Sequence, residues 1–345
     1  MKLPTNLVAV AVAIACLGAS GPAIATQPGM TGLESNSPSS QVLRMNDDMM
    51  VPPEVMMLKA GKSMVGYQFM FDEMNGNLVG TSHVSNTTIL GSFAAAPTDM
   101  TMQMHMGVVM YAPTDRLTLM AMPTYIVKTM NHVTGAGTRF TEQASGIGDL
   151  ELRGLYSLYA TEDHRHRFLL NAGIGVPTGS INQTMGGMRL EYPMQLGSGT
   201  FSLLPGLTYL GQAIPWGWGA QFIPTLQLGR NSNDYSLGNS YQASIWVVRQ
   251  LTQSLSLSAR ANGERWGNIQ GADPTLNPAD EPTKNPALQG GTRLDFSLGA
   301  DLHPDEGIFK GHELFVQADA PVVQSLNGPQ LQRVWVARFG WQREF

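Results

Sequence analysis

The sequence predicts an all-β fold, an antiparallel transmembrane β-barrel of about twelve strands with long outer loops and short periplasmic turns. Three observations predict it. Apolar and polar residues alternate with a period of two along most of the chain, and the connections alternate between long and short. After the N-terminus, no apolar run approaches the roughly 20 residues that a spanning helix needs. Charged residues make up 14% of the chain, against about 25% in typical soluble domains, and a closed barrel satisfies the backbone of such a chain in lipid.

The alternating segments have the length expected of tilted spanning strands. They are 62–74, 101–112, 116–128, 147–160, 166–177, 200–211, 217–230, 238–251, 254–266, 291–303, 311–321 and 333–345. The connections are long at 75–100, 129–146, 178–199 and 267–290, short at 113–115, 161–165, 212–216 and 252–253, and of medium length at 231–237, 304–310 and 322–332. This pattern is typical of a barrel with both chain ends in the periplasm.

Residues 1–25 are typical of a secretory signal peptide. Lys2 precedes the apolar run 7–17, and an A-x-A cleavage site ends at Ala25. Two alternatives stay open, namely a buried N-terminal helix and a lipoprotein cut before Cys16. Because Cys16 is the single cysteine, its removal with the signal peptide would leave a mature chain without thiols or disulfides.

The next segment, 26–58, is rich in Met, Pro and Ser and lacks strand alternation. It is predicted to be a periplasmic segment or a plug. The barrel itself is then predicted to comprise residues 59–345.

The C-terminal segment ends the chain on an aromatic residue. Trp335, Ala337, Phe339 and Trp341 alternate with polar or small residues, and the last residue is Phe345. The segment resembles the terminal strand of outer-membrane barrels, which the barrel-assembly machinery recognises by its final aromatic. An ordinary amphipathic strand is the alternative. We therefore expect a protein of the bacterial outer membrane whose partners are lipid and this machinery.

Alternation also assigns side chains to faces, because the lipid side of a barrel is apolar and the lumen side can be polar. On the first strand, Val65 and Tyr67 are predicted to face lipid. The predicted lumen-facing candidates are Gln68, Asp72, Asp149, Glu151, Arg153, Arg167, Arg260, Glu264, Arg293, Asp295, Asp301 and Arg338. Charges of both signs are present, and they should pair in a low-dielectric wall. They either fill and solvate the lumen or form a specific path.

Four stretches resemble a known family. They are MYAPTDRLTLM at 110–120, GIGDL at 146–150, GVPTG at 175–179, and QLGSG at 195–199 leading into LPGL at 204–207. Together they resemble the outer-membrane family named for the meta-pathway of phenol degradation, over nearly all of the expected mature chain. The resemblance implies a transporter-like barrel for hydrophobic or aromatic compounds and brings no catalytic residues with it.

Methionine is unusually frequent, with 21 residues that cluster along the chain. Thioethers select Cu(I) or Ag(I), although methionine also fills irregular apolar surface. The candidate metal ligands are Met45, Met49, Met50, Met56, Met57, Met64, Met70, Met120 and Met122. Met102, Met104 and Met106 alternate with Thr101, Gln103 and His105, and simple alternation predicts that these three methionines face lipid.

Motifs for chemistry are absent from the sequence. It contains neither Gly-x-Ser-x-Gly nor His-Glu-x-x-His, and no basic patch for nucleic acid. The sequence therefore predicts no enzyme, no nucleic-acid partner and no cofactor other than Cu(I) under the methionine hypothesis. Three functions remain: a channel for small hydrophobic or aromatic solutes, a Met-rich envelope protein that binds or passes Cu(I) or Ag(I), and a structural barrel without cargo.

Overall fold

The computed structural model describes residues 55–304 and 307–345, most of which lie in antiparallel strands. In chain order the strands are β1 (Ser63–Gly80), β2 (Ser82–Val84), β3 (Ala95–Thr114), β4 (Leu117–Met122), β5 (Thr124–Thr134), β6 (Arg139–Ile147), β7 (Leu150–Ala160), β8 (His166–Val176), β9 (Thr184–Met185), β10 (Met188–Arg189), β11 (Phe201–Ala213), β12 (Trp216–Leu228), β13 (Tyr235–Ser236), β14 (Ser240–Gln250), β15 (Leu255–Trp266), β16 (Gln270–Gly271), β17 (Gly291–Leu302) and β18 (His312–Glu344). The helical elements are α1 (Asn86–Leu90) and 3₁₀ turns at Tyr192–Met194, Pro282–Lys284, Pro286–Leu288 and Gly307–Phe309. Within these ranges, no helix has the length and apolar character to cross a membrane.

The main sheet closes on itself because β1 pairs with β18 on one side and with β3 on the other. Among the described residues the closed ring contains eleven strands, in the order β1-β18-β17-β15-β14-β12-β11-β8-β7-β4-β3, and β2, β5 and β6 lie outside it. The long strand β18 has two limbs: residues 314–326 pair with β17, and residues 330–344 pair with β1. Counting each limb separately gives twelve crossings, so the predicted fold class is confirmed.

Three predicted connections are shorter than expected. The first outer loop, predicted at 75–100, is confined to the residues between β1 and β3. Residues 129–146, predicted as a loop, belong to a β-hairpin formed by β5 and β6. The third predicted connection, 322–332, lies inside β18, which continues through it. In the hairpin, Lys128, Asn131 and Gln143 place polar groups on strands that also carry buried residues. The hydrophobic alternation is therefore weak there, although the backbone remains paired.

Pro123 divides β4 from β5. Pro123 has no N–H to donate to a neighbouring strand, and its carbonyl accepts from the amide of Gly107 at 3.0 Å. At this point the pairing partner changes from β7 to β6. Gly148 lies opposite, where a Cβ would stand 2.5 Å from Oγ1 of Thr124. Pro123 thus separates β4, which belongs to the barrel wall, from β5, which forms a hairpin with β6.

The outer surface of the barrel carries a broad apolar band. Exposed outward residues include Val65, Tyr67, Val109, Tyr111, Leu119, Leu152, Tyr156, Leu170, Phe222, Ile245, Leu257, Phe296 and Leu298. An exposed apolar surface of this extent on a closed barrel is suited to lipid.

Candidate functional site

Methionines form rows across the inner face of β1, β3, β4 and β5. Met64 pairs directly with Met110, which in turn pairs with Met120. Side chains directly opposite in antiparallel strands lie about 4.5–5.5 Å apart at Cβ. Each row therefore brings its thioethers together by register alone. The members of the second row are Met74, Met100 and Met130, paired in the same way.

The prediction that Met102, Met104 and Met106 face lipid is wrong. Their neighbour His105 points outward instead, and its Nδ1 lies 2.7 Å from the hydroxyl of Tyr67. His105 also contacts Phe69, with the ring centroids 5.1 Å apart. An aromatic cluster on the outside accommodates the imidazole, so the methionines on the alternate positions turn inward.

We call the end of the barrel with the short turns its lower end. A charged cavity of about 340 Å³ occupies the lower part of the barrel. Arg293 donates to Asp295 and to Glu264, each at 2.9 Å. Arg333 contacts Asp72 at 2.5 Å and Asp295 at 3.4 Å. These side chains link β1, β15, β17 and β18 through ion pairs. Further pairs join Arg338 to Asp319 and Arg153 to Glu151.

The structure brings most of the predicted lumen residues together. Those lining the charged cavity are Gln68, Glu151, Arg153, Arg260, Glu264, Arg293, Asp295, Asp301 and Arg338. Asp72 is buried behind this lining and reaches it through Arg333. Arg167 lies apart, in a recess near the short turns with Met57 and Leu58. Whether these residues act on a solute stays a prediction.

Arg333 is the central residue that the sequence did not single out. It joins Asp72 on β1 to Asp295 on β17. The alternation places it at the beginning of the last predicted strand, next to a predicted loop. The sequence contains one signal that could have identified Arg333. Acidic residues outnumber basic ones among the predicted lumen-facing residues of the neighbouring strands, and this excess of negative charge requires a further cation.

A second cavity of about 630 Å³ lies above the first, between the barrel wall and the long loops. Its lining combines apolar and polar side chains, among them Met104, Ile126, Leu196, Trp266 and Ile269. The two cavities share Met106, Met122 and Glu151 in their linings. We call the place where these three residues meet the neck. The inward turn of Met106 is therefore what positions it between the two cavities.

Loop 177–200 covers the upper cavity and is tied to the wall at its base. Asp149 accepts from the amides of Gly179 at 2.9 Å and Ser198 at 2.8 Å. Lys128 donates to the carbonyls of Pro193 at 2.7 Å and Gln195 at 2.6 Å. Asp149, predicted as a lumen residue, thus lines the upper cavity and also binds both ends of this loop by hydrogen bonds.

The lower end of the barrel is filled by the first described residues. Val55, Met56, Met57 and Leu58 are buried in one apolar cluster with lumen residues that include Met64, Met110, Met120, Leu155, Leu169, Leu210, Trp246 and Val248. The amide of Leu58 donates to Oγ1 of Thr118 at 3.0 Å. This end of the segment 26–58 therefore packs inside the barrel, next to the short turns.

The predicted metal ligands divide into two sets. Met56, Met57, Met64, Met120 and Met122 are buried in the cluster at the lower end, and Met70 pairs directly with Met104. Met45, Met49 and Met50 lie outside the described residues, as does the predicted signal peptide.

Comparison with solved structures shows a similarity of fold to outer-membrane proteins. An outer-membrane channel from Pseudomonas putida F1 matches with a TM-score of 0.58 and 16% sequence identity, over 86% of this chain and 99% of that one. The fold is that of an outer-membrane β-barrel. Together with the apolar outer band, it places the protein in the bacterial outer membrane.

Two further solved structures match less closely. The P. putida toluene transporter TodX has a TM-score of 0.41 and 12% identity, over 84% of this chain and 91% of that one. A Pseudomonas aeruginosa FadL homologue has a TM-score of 0.40 and 11% identity, over 82% and 89%. No family model and no curated protein matches the chain.

Proposed function

We propose that the protein is an outer-membrane channel for small hydrophobic or aromatic compounds. The observation that carries this proposal is the pair of cavities that meet at Met106, Met122 and Glu151. A neck lined by two thioethers and one carboxylate, between an upper chamber of mixed polarity and a charged lower one, suits a solute that is weakly polar. The upper cavity, at about 630 Å³, lies within the roughly 300–1,000 Å³ range of small-molecule sites.

The proposal agrees with the resemblance to the phenol-degradation family and with the similarity of fold to an outer-membrane channel. It involves no catalytic step. Paired charges below the neck favour narrow, selective passage over a wide pore, because Arg153, Arg293, Arg333 and Arg338 are each held by a carboxylate rather than by bulk water alone.

Uptake of radiolabelled toluene by Gram-negative cells with and without the protein tests the proposal. Expression should raise the initial uptake rate, and Met106→Trp should abolish most of the gain because the indole fills the neck. Gln103→Trp is the matched control, since Gln103 lies on the outward face of the same strand opposite Phe71. An uptake rate that does not respond to expression contradicts the proposal.

The methionine rows favour a second candidate, an envelope protein that binds or passes Cu(I) or Ag(I). In each row the two outer methionines pair directly with the central one, so soft thioether ligands of the kind that Cu(I) and Ag(I) prefer lie side by side. Met194 and Leu196 cover the Met74–Met100–Met130 row from the loop side. The burial that protects these thioethers from water is equally expected of apolar packing.

Silver titration of the purified protein separates the two explanations. Under this second proposal, Ag(I) binds at least roughly tenfold more weakly when Met100 and Met130 are both changed to leucine, a loss expected when soft ligands are removed. Met188→Leu is the control because Met188 is exposed on a surface strand. Equal silver affinity in all three proteins would leave packing as the role of the rows.

A further inference from the structure

Four ligand-bearing side chains converge behind the upper cavity. They are His132 on β5, Glu142 on β6, Glu191 in loop 177–200 and Glu281 in loop 267–290. Ligand atoms of His132, Glu142 and Glu191 all lie within 4.8 Å of one another. Nε2 of His132 is 3.4 Å from Glu191 Oε1 and 3.4 Å from Glu281 Oε2. We call this group the His132 cluster.

The cluster is sealed from solvent, and most of its ligand atoms lack a hydrogen-bond partner outside the cluster. His132 is 1% exposed and Glu191 is 0% exposed. Both ring nitrogens of His132, both carboxyl oxygens of Glu191 and one of Glu142 meet no hydrogen-bond partner outside the cluster among the described residues. Within the cluster, the carboxyl groups of Glu142 and Glu191 lie within hydrogen-bonding reach of each other. Buried polar groups are normally paired, and an unpaired buried charge is expensive. A ligand that accepts lone pairs from all three side chains would remove this cost.

The cluster holds more carboxyl groups than cationic side chains. Lys284 lies 3.3 Å from Glu281 and balances that carboxylate. Lys128 interacts with Glu191 at longer range, but its ammonium already donates to two backbone carbonyls. Glu142 and Glu191 are thus left without a close cationic partner.

The backbone presents these ligands in fixed positions. His132 pairs directly with Phe140, and their rings stack 4.8 Å apart with an interplanar angle of 6°. Glu142 lies two residues after Phe140 on the same face of β6, so the side chains of His132 and Glu142 both turn inward. Glu191 caps the 3₁₀ turn Tyr192–Met194, in which the amide of Met194 donates to its carbonyl at 3.1 Å.

Glu281 is held in the same manner from the other loop. Oγ1 of Thr283 donates to its Oε2 at 3.2 Å. The Asp280 carbonyl beside it accepts from the amide of Ala95 at 3.0 Å, which anchors this loop to β3. Each of the three carboxylates therefore approaches His132 from a different segment of the chain.

We propose that His132, Glu142, Glu191 and Glu281 bind one divalent first-row transition-metal ion. One imidazole nitrogen with carboxylate oxygens suits such ions, zinc and manganese among them, and differs from the soft thioether set of the methionine rows. The ion would cross-link loops 177–200 and 267–290 to the β5–β6 hairpin. It would thereby fix the cover of the upper cavity, a role that goes beyond passage of a solute.

Zinc binding to the full chain tests the proposal. The protein is folded in detergent, stripped with a chelator and titrated with Zn²⁺ against a competing fluorescent chelator. One ion per chain is expected. Glu191→Gln and His132→Gln should each weaken binding by at least roughly tenfold, which is the size of effect seen even for outer-shell partners of a metal. The matched control is His164→Gln with Glu162→Gln, a histidine and a glutamate of an exposed turn.

Gel electrophoresis of heated and unheated samples confirms that each variant is folded before its zinc affinity is measured, because a folded barrel migrates differently from the unfolded chain. The proposal is overturned if folded wild type binds zinc no more tightly than folded Glu191→Gln. It is also overturned if Glu191→Gln melts higher than wild type with and without metal, which would mean that the carboxyls share protons instead. Tighter binding of Ca²⁺ than of both Zn²⁺ and Mn²⁺ would overturn the transition-metal assignment. Since no solute is present, these outcomes are independent of the uptake experiment.

Discussion

Arg333 donates from Nε to both carboxylate oxygens of Asp72, at 3.1 and 3.0 Å, across 261 residues of sequence. The two residues lie on β18 and β1, where the end of the chain meets its beginning and closes the barrel. Asp295 on β17 is the second partner of the same guanidinium. One arginine therefore connects three adjacent strands on the inside of the closure.

Replacing this arginine should destabilise the barrel strongly. Arg333→Met leaves Asp72 and Asp295 buried without this partner, and breaking a buried pair from one side costs about 3–5 kcal/mol. Urea unfolding in vesicles measures the loss. Arg343→Met is the control, since Arg343 is exposed, and it should change the free energy of unfolding by less than about 0.5 kcal/mol. Equal effects of the two changes would contradict a structural role for the network.

A charge placed on the outer band should report the lipid environment. Leu298 is exposed near the middle of β17, and arginine at the midplane of a bilayer costs about 2–4 kcal/mol. Leu298→Arg should therefore lower the free energy of unfolding in vesicles by that amount. Leu251→Arg, in the turn after β14, should have little effect. If Leu298→Arg were tolerated as well as Leu251→Arg, this face would not contact lipid.

The C-terminal phenylalanine should act during assembly more than in the finished barrel. The backbone of Phe345 exchanges two hydrogen bonds with Ser63, at 2.8 and 3.3 Å, and these do not depend on its side chain. Phe345→Ala should reduce the amount of folded barrel in cell membranes, while refolding of the purified chain in detergent stays as in wild type. An equal loss in both settings would mean that the aromatic ring stabilises the structure instead.

Removing the hydrogen bonds between Asp149 and loop 177–200 should expose that loop to protease. Asp149→Ala removes the acceptor of the Gly179 and Ser198 amides. Gly197 packs so closely here that a Cβ would lie 2.5 Å from Asp149 Oδ1. The variant should be cut within this loop faster by a protease added to intact cells, with the barrel still folded. Unchanged cleavage would show that the remaining contacts, those of Lys128 among them, hold the loop without Asp149.

The sequence predicts the fold well because one physical rule governs most of the barrel. Lipid requires apolar residues on one face, and a two-residue period follows wherever the other face is polar. The same rule fails at β3, where His105 faces outward among aromatic rings and the methionines turn inward. It also fails in β5 and β6, where polar residues occupy both faces. Methionine suits either lipid or a packed interior, so its orientation follows from the pairing register rather than from composition.

The candidate site is less predictable for a related reason. Side chains such as Glu264 and Arg293 can be assigned to the lumen one by one, but their pairing depends on which strands are neighbours. The His132 cluster draws on two strands and two loops, separated by as many as 149 residues between His132 and Glu281 (281 − 132). No local pattern connects them. Only the closed sheet and the packing of both loops bring these ligands together.

The orientation of Met106 is the most direct test of the channel account. In a Cys16→Ser background, Met106→Cys places a thiol in the neck and Gln103→Cys places one on the outer face of the same strand. A charged, water-soluble thiol reagent should label the cysteine at 106 in membranes and leave the cysteine at 103 unlabelled, and saturating toluene should slow the labelling at 106. Labelling at 103 instead of 106, or labelling at 106 that toluene does not affect, would contradict a solute path through the neck.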